Sequence, residues 1–123
     1  MMTLPPSVKI YVAAQPVDAR KSFDGLSGLV QAEFGKDPLS GHVFVFINRR
    51  GHQIQILFWD RNGFSILKKR LEAGTFRLAR KPEGGVVDVE ITAGDLALML
   101  EGIELGGATR RKRYRRPDAP LPG

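Results

Sequence analysis

Val43-Phe44-Val45-Phe46-Ile47, followed by Ile54-Gln55-Ile56-Leu57-Phe58-Trp59, is the part of the sequence that decides the fold. Both segments are dense in β-branched and aromatic residues, which favour extended strands. They are joined around Arg49-Arg50-Gly51, a short connection typical of a β-hairpin. We therefore predict an antiparallel β-meander at the centre of the protein.

The meander extends toward the C-terminus through two further turns. Residues 60–63 (Asp-Arg-Asn-Gly) predict a tight turn, with Asn62-Gly63 suited to positive φ. Residues 64–71 follow, either as a third strand or as a strand that becomes irregular. After a turn at Ala73-Gly74, residues 75–79 are predicted to form a fourth strand of the meander.

Further strands and helices are predicted at both ends of the chain. Residues 7–14 form an opening strand, and Asp18 is placed to cap a following helix. Residues 86–91 alternate between apolar and acidic side chains, which indicates a strand with one solvated face. Thr92 and Asp95 resemble a capping box that starts a second helix. The helical spacing of the apolar residues supports both helices: Phe23, Leu26, Val30 and Phe34 in the first, and Leu96, Met99, Leu100 and Ile103 in the second.

Together these elements predict one α+β domain over residues 1–106, with a disordered basic tail over 107–123. A curved, mostly antiparallel sheet of about five or six strands is expected to pack with two helices. The sequence has no cysteine, which excludes disulfides and thiolate metal sites. The N-terminus lacks a signal-peptide pattern and no apolar run is long enough to cross a bilayer, so we expect a soluble bacterial cytoplasmic protein.

The formal net charge is +6, and most of it lies in the tail, where six cations fall within seven residues. Such a segment favours a polyanion partner, most commonly nucleic acid, and Tyr114 offers a ring for stacking on a base. The alternative is a solubilising tail with no specific partner. The candidate nucleic-acid-binding residues of the tail are Arg110, Arg111, Lys112, Arg113, Tyr114, Arg115 and Arg116.

Basic residues also cluster in the body of the domain. Arg49 and Arg50 occupy the predicted hairpin tip, and Lys68, Lys69 and Arg70 the strand after the next turn. A basic hairpin tip suits a DNA groove or a row of phosphates. An equally weighted alternative is that loops are charged because they are solvated.

Two smaller sets of residues are candidate contacts. Arg20 and Lys21 are expected in the first turn of the first helix, where the helix dipole disfavours cations. This placement suggests a nearby anion, either a phosphate or an acidic neighbour such as Asp24. Trp59 and Phe64 flank the predicted turn at residues 60–63. Trp59 and Asp60 are either a partner contact, or a core aromatic beside an Asp that closes the turn through its side chain.

No catalytic constellation is evident. Asp88 and Glu90 share a strand face, but they lack the following lysine of restriction-type nucleases. His42 and His52 are expected at opposite ends of the hairpin, about 20 Å apart, too far to share a metal. We therefore predict no catalytic residues, no metal site and no cofactor.

Several segments, taken in order, resemble one family. Phe58-Trp59-Asp60-Arg61-Asn62-Gly63-Phe64 is one of them. The others are residues 16–26, 44–50, 69–76, 98–103 and 111–114. Together they are similar to the TnpB family of accessory proteins from insertion sequence 66 elements, which are bacterial mobile elements.

The resemblance implies a role beside a separate DDE-type transposase and a second small accessory protein. It brings no catalytic residue set. The expected function is non-catalytic assistance to transposition, with DNA at the element ends and those two proteins as partners. The alternative is a protein adaptor of the complex with only non-specific nucleic-acid affinity, and a more distant one is an RNA-binding or translation-related module.

Overall fold

A computed structural model of the protein describes residues 5, 7–78 and 83–102, which contain five strands and two helices. In chain order these are β1 (Ile10–Ala13), α1 (Phe23–Ala32), β2 (Val43–Ile47), β3 (Gln53–Asp60), β4 (Gly63–Arg70), β5 (Asp88–Ile91) and α2 (Ala93–Leu100). The strands form one mixed sheet in the order β4-β3-β2-β1-β5. The predicted α+β class, the central meander and the two helices are confirmed.

The sheet contains one parallel pair, β1 with β2. All other neighbouring strands within the described residues pair antiparallel. The parallel pair exists because α1 lies between β1 and β2 in the chain and carries it back to the end where β1 began. The topology therefore places the segment that follows β1 beside the end of β2.

Side-chain alternation along the strands gives the sheet two apolar faces. Val43 and Val45 lie on the face that α2 covers, and Phe44 and Phe46 lie on the face that α1 covers. Burial of β2 on both sides explains why its sequence is an unbroken apolar run. Leu26 and Val30 are the buried residues of α1 on one face of the sheet, and Leu96 and Met99 are those of α2 on the other.

The predicted fourth meander strand over residues 75–79 is wrong in its described part, because residues 75–78 form no strand. Phe76 instead packs into the core on the α2 face of the sheet, where it is 2% exposed. The Phe76 N–H donates to the Gly51 carbonyl at 2.6 Å, so this segment lies against the hairpin turn. Among the described strands, β4 is the edge of the sheet. Ala79 lies outside the described residues.

The start of α1 also differs from the prediction. Ser22, not Asp18, is the N-cap, and its side chain makes no capping hydrogen bond. The Asp18 carboxylate accepts from the Arg20 backbone N–H at 2.9 Å, a local turn that competes with capping. Arg20 and Lys21 therefore precede the helix, and Phe23 is 45% exposed at its first position.

At α2 the predicted capping box is present. The Thr92 hydroxyl accepts from the Asp95 N–H at 3.0 Å, and the Asp95 carboxylate accepts from the Thr92 N–H at 3.2 Å. Ile103 and the basic tail lie outside the described residues, so the domain boundary at residue 106 stays a prediction. No helix in the described ranges is long and apolar enough to span a membrane.

The tight turn at 60–63 is confirmed by the pairing of Asp60 with Gly63. Its positive φ, however, belongs to Arg61 at 58°, not to Asn62 or Gly63. The Asn62 N–H donates to the Asp60 backbone carbonyl at 2.6 Å, so the backbone of Asp60 closes this turn.

Candidate nucleic-acid interface

The segment between β1 and α1, residues 14–22, is the first wall of the candidate site, and we call it the connector. Two facing residues of the sheet hold it in place. Gln55 Nε2 donates to the Lys21 carbonyl at 2.9 Å, and Lys68 Nζ donates to the Ala19 carbonyl at 3.0 Å. Gln55 and Lys68 are direct cross-strand partners on β3 and β4. The connector is therefore fixed across these two strands.

Gln55 is 2% exposed, and sequence reasoning did not select it. The signal that identifies it is a single amide inside the apolar run of residues 54–57. A buried amide is costly unless it is hydrogen-bonded, and the Lys21 carbonyl supplies the acceptor.

The β2–β3 turn is the second wall. Asn48 Oδ1 accepts from the Gln53 N–H at 3.0 Å, and Asn48 Nδ2 lies 3.1 Å from His52 Nδ1. The Gly51 N–H donates to the Asn48 carbonyl at 2.9 Å. These bonds fix the turn, so Arg49 and Arg50 project into solvent from a defined backbone.

A cleft of about 700 Å³ separates the connector from this turn. Arg20 lies on the connector side, and Arg49 and Arg50 lie on the turn side. The structure thus places candidate residues from two separate stretches of sequence in one cleft. The described residues that line it are Pro16, Val17, Asp18, Ala19, Arg20, Asn48, Arg49, Arg50 and Gln53.

A second cleft, of about 350 Å³, adjoins the first through Arg20. Lys21 and Lys68 add two further cations to it. Its lining within the described part of the chain is Arg20, Lys21, Ser22, Phe23, Gln55, Ile66 and Lys68. We call the two clefts together the basic groove; its cations are Arg20, Lys21, Arg49, Arg50 and Lys68.

Asp18 is the acidic side chain that lines the basic groove, and its carboxylate accepts hydrogen bonds from the Arg20 guanidinium. Arg20 Nη2 lies 2.8 Å from Asp18 Oδ2, and its Nε lies 3.1 Å from the same atom. Side-chain and backbone hydrogen bonds from Arg20 lower the pKa of Asp18 from 3.8 to about 2. In return, the Asp18 carboxylate raises the pKa of Arg20. Arg20 therefore has an acidic neighbour, and this neighbour is Asp18, whereas the sequence suggested Asp24 as an example.

The other cations of the groove have no carboxylate partner among the described residues. Within residues 5, 7–78 and 83–102, no Asp or Glu oxygen lies within ion-pair distance of Lys21, Arg49 or Arg50. Lys68 likewise bonds a carbonyl and not a carboxylate. Five cations against one anion leave the groove with a positive field that favours polyanions.

The structure divides the predicted cluster Lys68, Lys69 and Arg70. Successive strand residues point to opposite faces, so Lys69 lies on one face of β4 and Lys68 and Arg70 lie on the other. Lys69 Nζ donates to the Leu100 carbonyl at 2.7 Å, at the end of α2 where the helix dipole favours a cation. Arg70 pairs with Glu72 at 2.8 Å. Only Lys68 of these three lines the groove, and the tail candidates Arg110 to Arg116 lie outside the described residues.

Trp59 and Asp60 lie at the opposite end of β3 from the Arg49-Arg50 turn. The Trp59 ring is half-buried and packs edge-on against Phe64, with ring centroids 5.1 Å apart. The side chain of Asp60 is exposed. A partner contact at these two residues stays a prediction.

The acids considered for catalysis form ion pairs on β5. Asp88 Oδ2 lies 2.8 Å from Lys36 Nζ, which also sits 4.5 Å from the Tyr11 ring centroid. Glu90 pairs with Lys9 at 3.8 Å. Among the described residues, no three His, Asp or Glu side chains come together in a group able to hold a metal ion. Sequence reasoning missed the Lys36–Asp88 pair because 52 positions separate its members.

Fold and groove together define a small α+β protein with a cationic surface groove. The chain belongs to the family of IS66 Orf2-like proteins, whose family model matches residues 8–110. This membership confirms the resemblance drawn from the sequence and associates the protein with insertion sequences.

Two relatives come from Sinorhizobium fredii (strain NBRC 101917 / NGR234), and both are named as uncharacterized proteins. The protein y4jC is 31% identical over 110 residues, which cover 89% of this chain and 91% of y4jC. The protein y4hO is 32% identical over 98 residues, which cover 80% of this chain and 83% of y4hO. No solved structure matches the chain.

Proposed function

We propose that the protein is a non-catalytic accessory factor for transposition of an insertion sequence, and that it binds DNA through the basic groove while a separate transposase supplies the chemistry. The observation that carries this proposal is the convergence of Arg20, Arg49 and Arg50 on one cleft. Family membership supports the transposition context.

Phosphate recognition accounts for the composition of the groove. Arginine presents a planar fork of donors that matches phosphate oxygens, and lysine adds a mobile point charge. Holding several cations together without counter-charges is unfavourable in the free protein. A bound DNA backbone relieves this repulsion and releases condensed counterions, so binding should weaken steeply as salt rises.

Transposase and the second small accessory protein are the proposed protein partners, in line with the accessory role. The basic tail would add sequence-independent affinity for the same DNA. A protein adaptor with only loose nucleic-acid affinity would instead bind element-end and random duplexes equally and weakly.

The first prediction tests the groove by charge reversal. Arg49→Glu should weaken binding to element-end duplex DNA by about tenfold and lower the salt slope by about one, because one phosphate contact is lost. The measurement is fluorescence anisotropy of the full chain with labelled element-end or random duplex across a salt series.

Arg61→Glu is the matched control, since it makes the same charge change at an exposed turn. The length of β3 places it about 25 Å from Arg49. Equal losses for Arg49→Glu and Arg61→Glu would show that net charge, and not the groove, governs binding. Undetectable binding of the wild-type chain at low salt would remove the DNA-binding proposal.

A further inference from the structure

Phe23 is the feature of the basic groove that phosphate binding leaves unexplained. Its side chain is 45% exposed at the first position of α1, whereas Leu26 and Val30 on the same helix are fully buried. Phe23 lines the second cleft together with Ile66 and the cations Lys21 and Lys68. Among the described residues it takes part in none of the close aromatic pairs.

We propose that the second cleft holds an unpaired nucleobase stacked on Phe23, so that the basic groove binds single-stranded DNA in preference to duplex DNA. This inference rests on the proposed DNA-binding function and specifies the form of its ligand. Stacking on an exposed aromatic ring beside cations is how proteins bind single strands with little sequence preference.

The size and lining of the second cleft suit a base. Its volume of about 350 Å³ lies near the lower end of the range for small-molecule sites. Phe23 and Ile66 offer apolar contact to the faces of a ring. Gln55 also lines the cleft, so one amide is available for the polar edge of the same ring.

Gln55 can offer an acceptor to that edge. Its Nε2 is used by the Lys21 carbonyl, and no described residue donates to its Oε1. An amide oxygen has two lone pairs, so this Oε1 can accept a hydrogen bond from an amino or imino group of a base that reaches it.

The cations define where the sugar-phosphate chain would run. Arg20, Lys21 and Lys68 line the second cleft, and Arg49 and Arg50 continue the positive surface into the first. A strand with its base on Phe23 would place its neighbouring phosphates on these side chains. In an intact duplex the bases are stacked inside the helix, so only the backbone contacts remain available.

The test compares labelled oligodeoxythymidine with a duplex of equal length, using the full chain at low salt. We expect tighter binding of the single strand. Phe23→Ala should weaken single-strand binding by about tenfold or more, since base–aromatic stacking is lost, and should change duplex binding by less than about twofold. Leu39→Ala is the matched control, because Leu39 is apolar and 51% exposed but lies outside the groove.

Phe23→Trp provides a spectroscopic measurement of stacking, and its signal would not change if position 23 had only a structural role. Indole stacking on thymine should quench the fluorescence of this tryptophan when the single strand is added, and single-strand affinity should return to the wild-type level. Equal affinity of the wild-type chain for both DNA forms would overturn the inference. Equal losses for both forms in Phe23→Ala would also overturn it.

The failure of this inference differs from failure of the proposed function. If Arg49→Glu weakens binding but Phe23→Ala has no effect on either DNA form, the groove binds DNA without a base pocket. If the wild-type chain binds neither form, the proposed function itself fails, and the base pocket with it.

Discussion

Arg20 lies where the two clefts meet, and its guanidinium interacts with the Asp18 carboxylate on the surface of the groove. The Arg20 side chain is 91% exposed, so water screens this pair and it contributes little to the stability of the fold. Its effect is on geometry, because a forked contact holds the arginine against the connector. An incoming phosphate would therefore compete with Asp18 for the same donors.

Titration of Asp18 provides the second prediction. NMR of the folded chain should show a pKa of about 2 for Asp18, and Arg20→Ala should return it toward 3.8, because the hydrogen bonds that favour the carboxylate are lost. A folded-state pKa below the unfolded value stabilises the fold above pH 3.8. That contribution disappears as the pH falls through about 2.

Arg50→Ala serves as the control for this titration, because it removes a cation of the same cleft that makes no hydrogen bond to Asp18. The Asp18 pKa should stay depressed in that variant. A normal pKa in the wild-type chain would mean that the Arg20 fork does not form in solution.

Single residues also show how far sequence reasoning reaches. Arg20 and Lys21 were selected as anion contacts from their charge near a helix start, and both line the groove. The sequence suggests that Asp18 caps the helix, but in the structure its side chain bonds the Arg20 N–H in a local turn. That turn depends on backbone geometry, which residue type alone does not specify. Gln55 and Phe23 could be identified only from the fold, since their significance depends on the connector residues that lie beside them.

Among the elements, the β2–β3 hairpin is held at its turn by the segment that follows β4. Gly51 has a φ of +79°, and a Cβ at this position would lie 3.0 Å from Thr75 Cβ. The Phe76 N–H bonds the Gly51 carbonyl and its ring enters the core. The orientation of Arg49 and Arg50 thus depends on residues some twenty-five positions later in the chain.

The third prediction separates backbone strain from packing at this turn. Gly35 also has positive φ, at +63°, but no atom lies within 4 Å of a Cβ placed there. Gly35→Ala should cost about 1–2 kcal/mol of unfolding free energy from the left-handed backbone alone. Gly51→Ala should cost about 1–3 kcal/mol more, because Thr75 must move.

Urea denaturation of the two variants measures this difference. Equal losses would show that the contact with Thr75 is not close in solution. Gly51→Ala should also weaken DNA binding, whereas Gly35→Ala should leave it near the wild-type level, since Gly35 lies outside the groove lining.

Sequence patterns identified the elements more reliably than their roles. Apolar runs predicted β2 and β3, and the capping box predicted the start of α2. These features depend on residues close together in the sequence, so the sequence alone reveals them. Residues 75–78 were misassigned because one buried aromatic, Phe76, decides their path across the sheet. The parallel pairing of β1 with β2 could not be predicted from the sequence, since the apolar pattern of a strand does not show in which direction its neighbour runs.

For the molecule as a whole, the groove exists because the topology unites three separate parts of the chain. The crossover through α1 places the connector at the end of β2, where the Val17 N–H donates to the Ile47 carbonyl at 3.0 Å. The meander then brings Lys68 on β4 beneath the connector. Among the described residues that line the groove, Asp18 is the one carboxylate.

The last prediction therefore concerns transposition in the cell, measured by a mating-out assay with this gene deleted and then restored in trans. Deletion should lower the frequency of transposition, and the wild-type gene should restore it. The double variant Arg49→Glu, Arg50→Glu should restore less than about a tenth of that activity, because two phosphate contacts become repulsive. Arg61→Glu should restore it fully, since its turn lies at the opposite end of β3. An unchanged frequency after deletion would disprove the accessory role. Full restoration by the double variant would leave that role intact but move the working surface away from the basic groove.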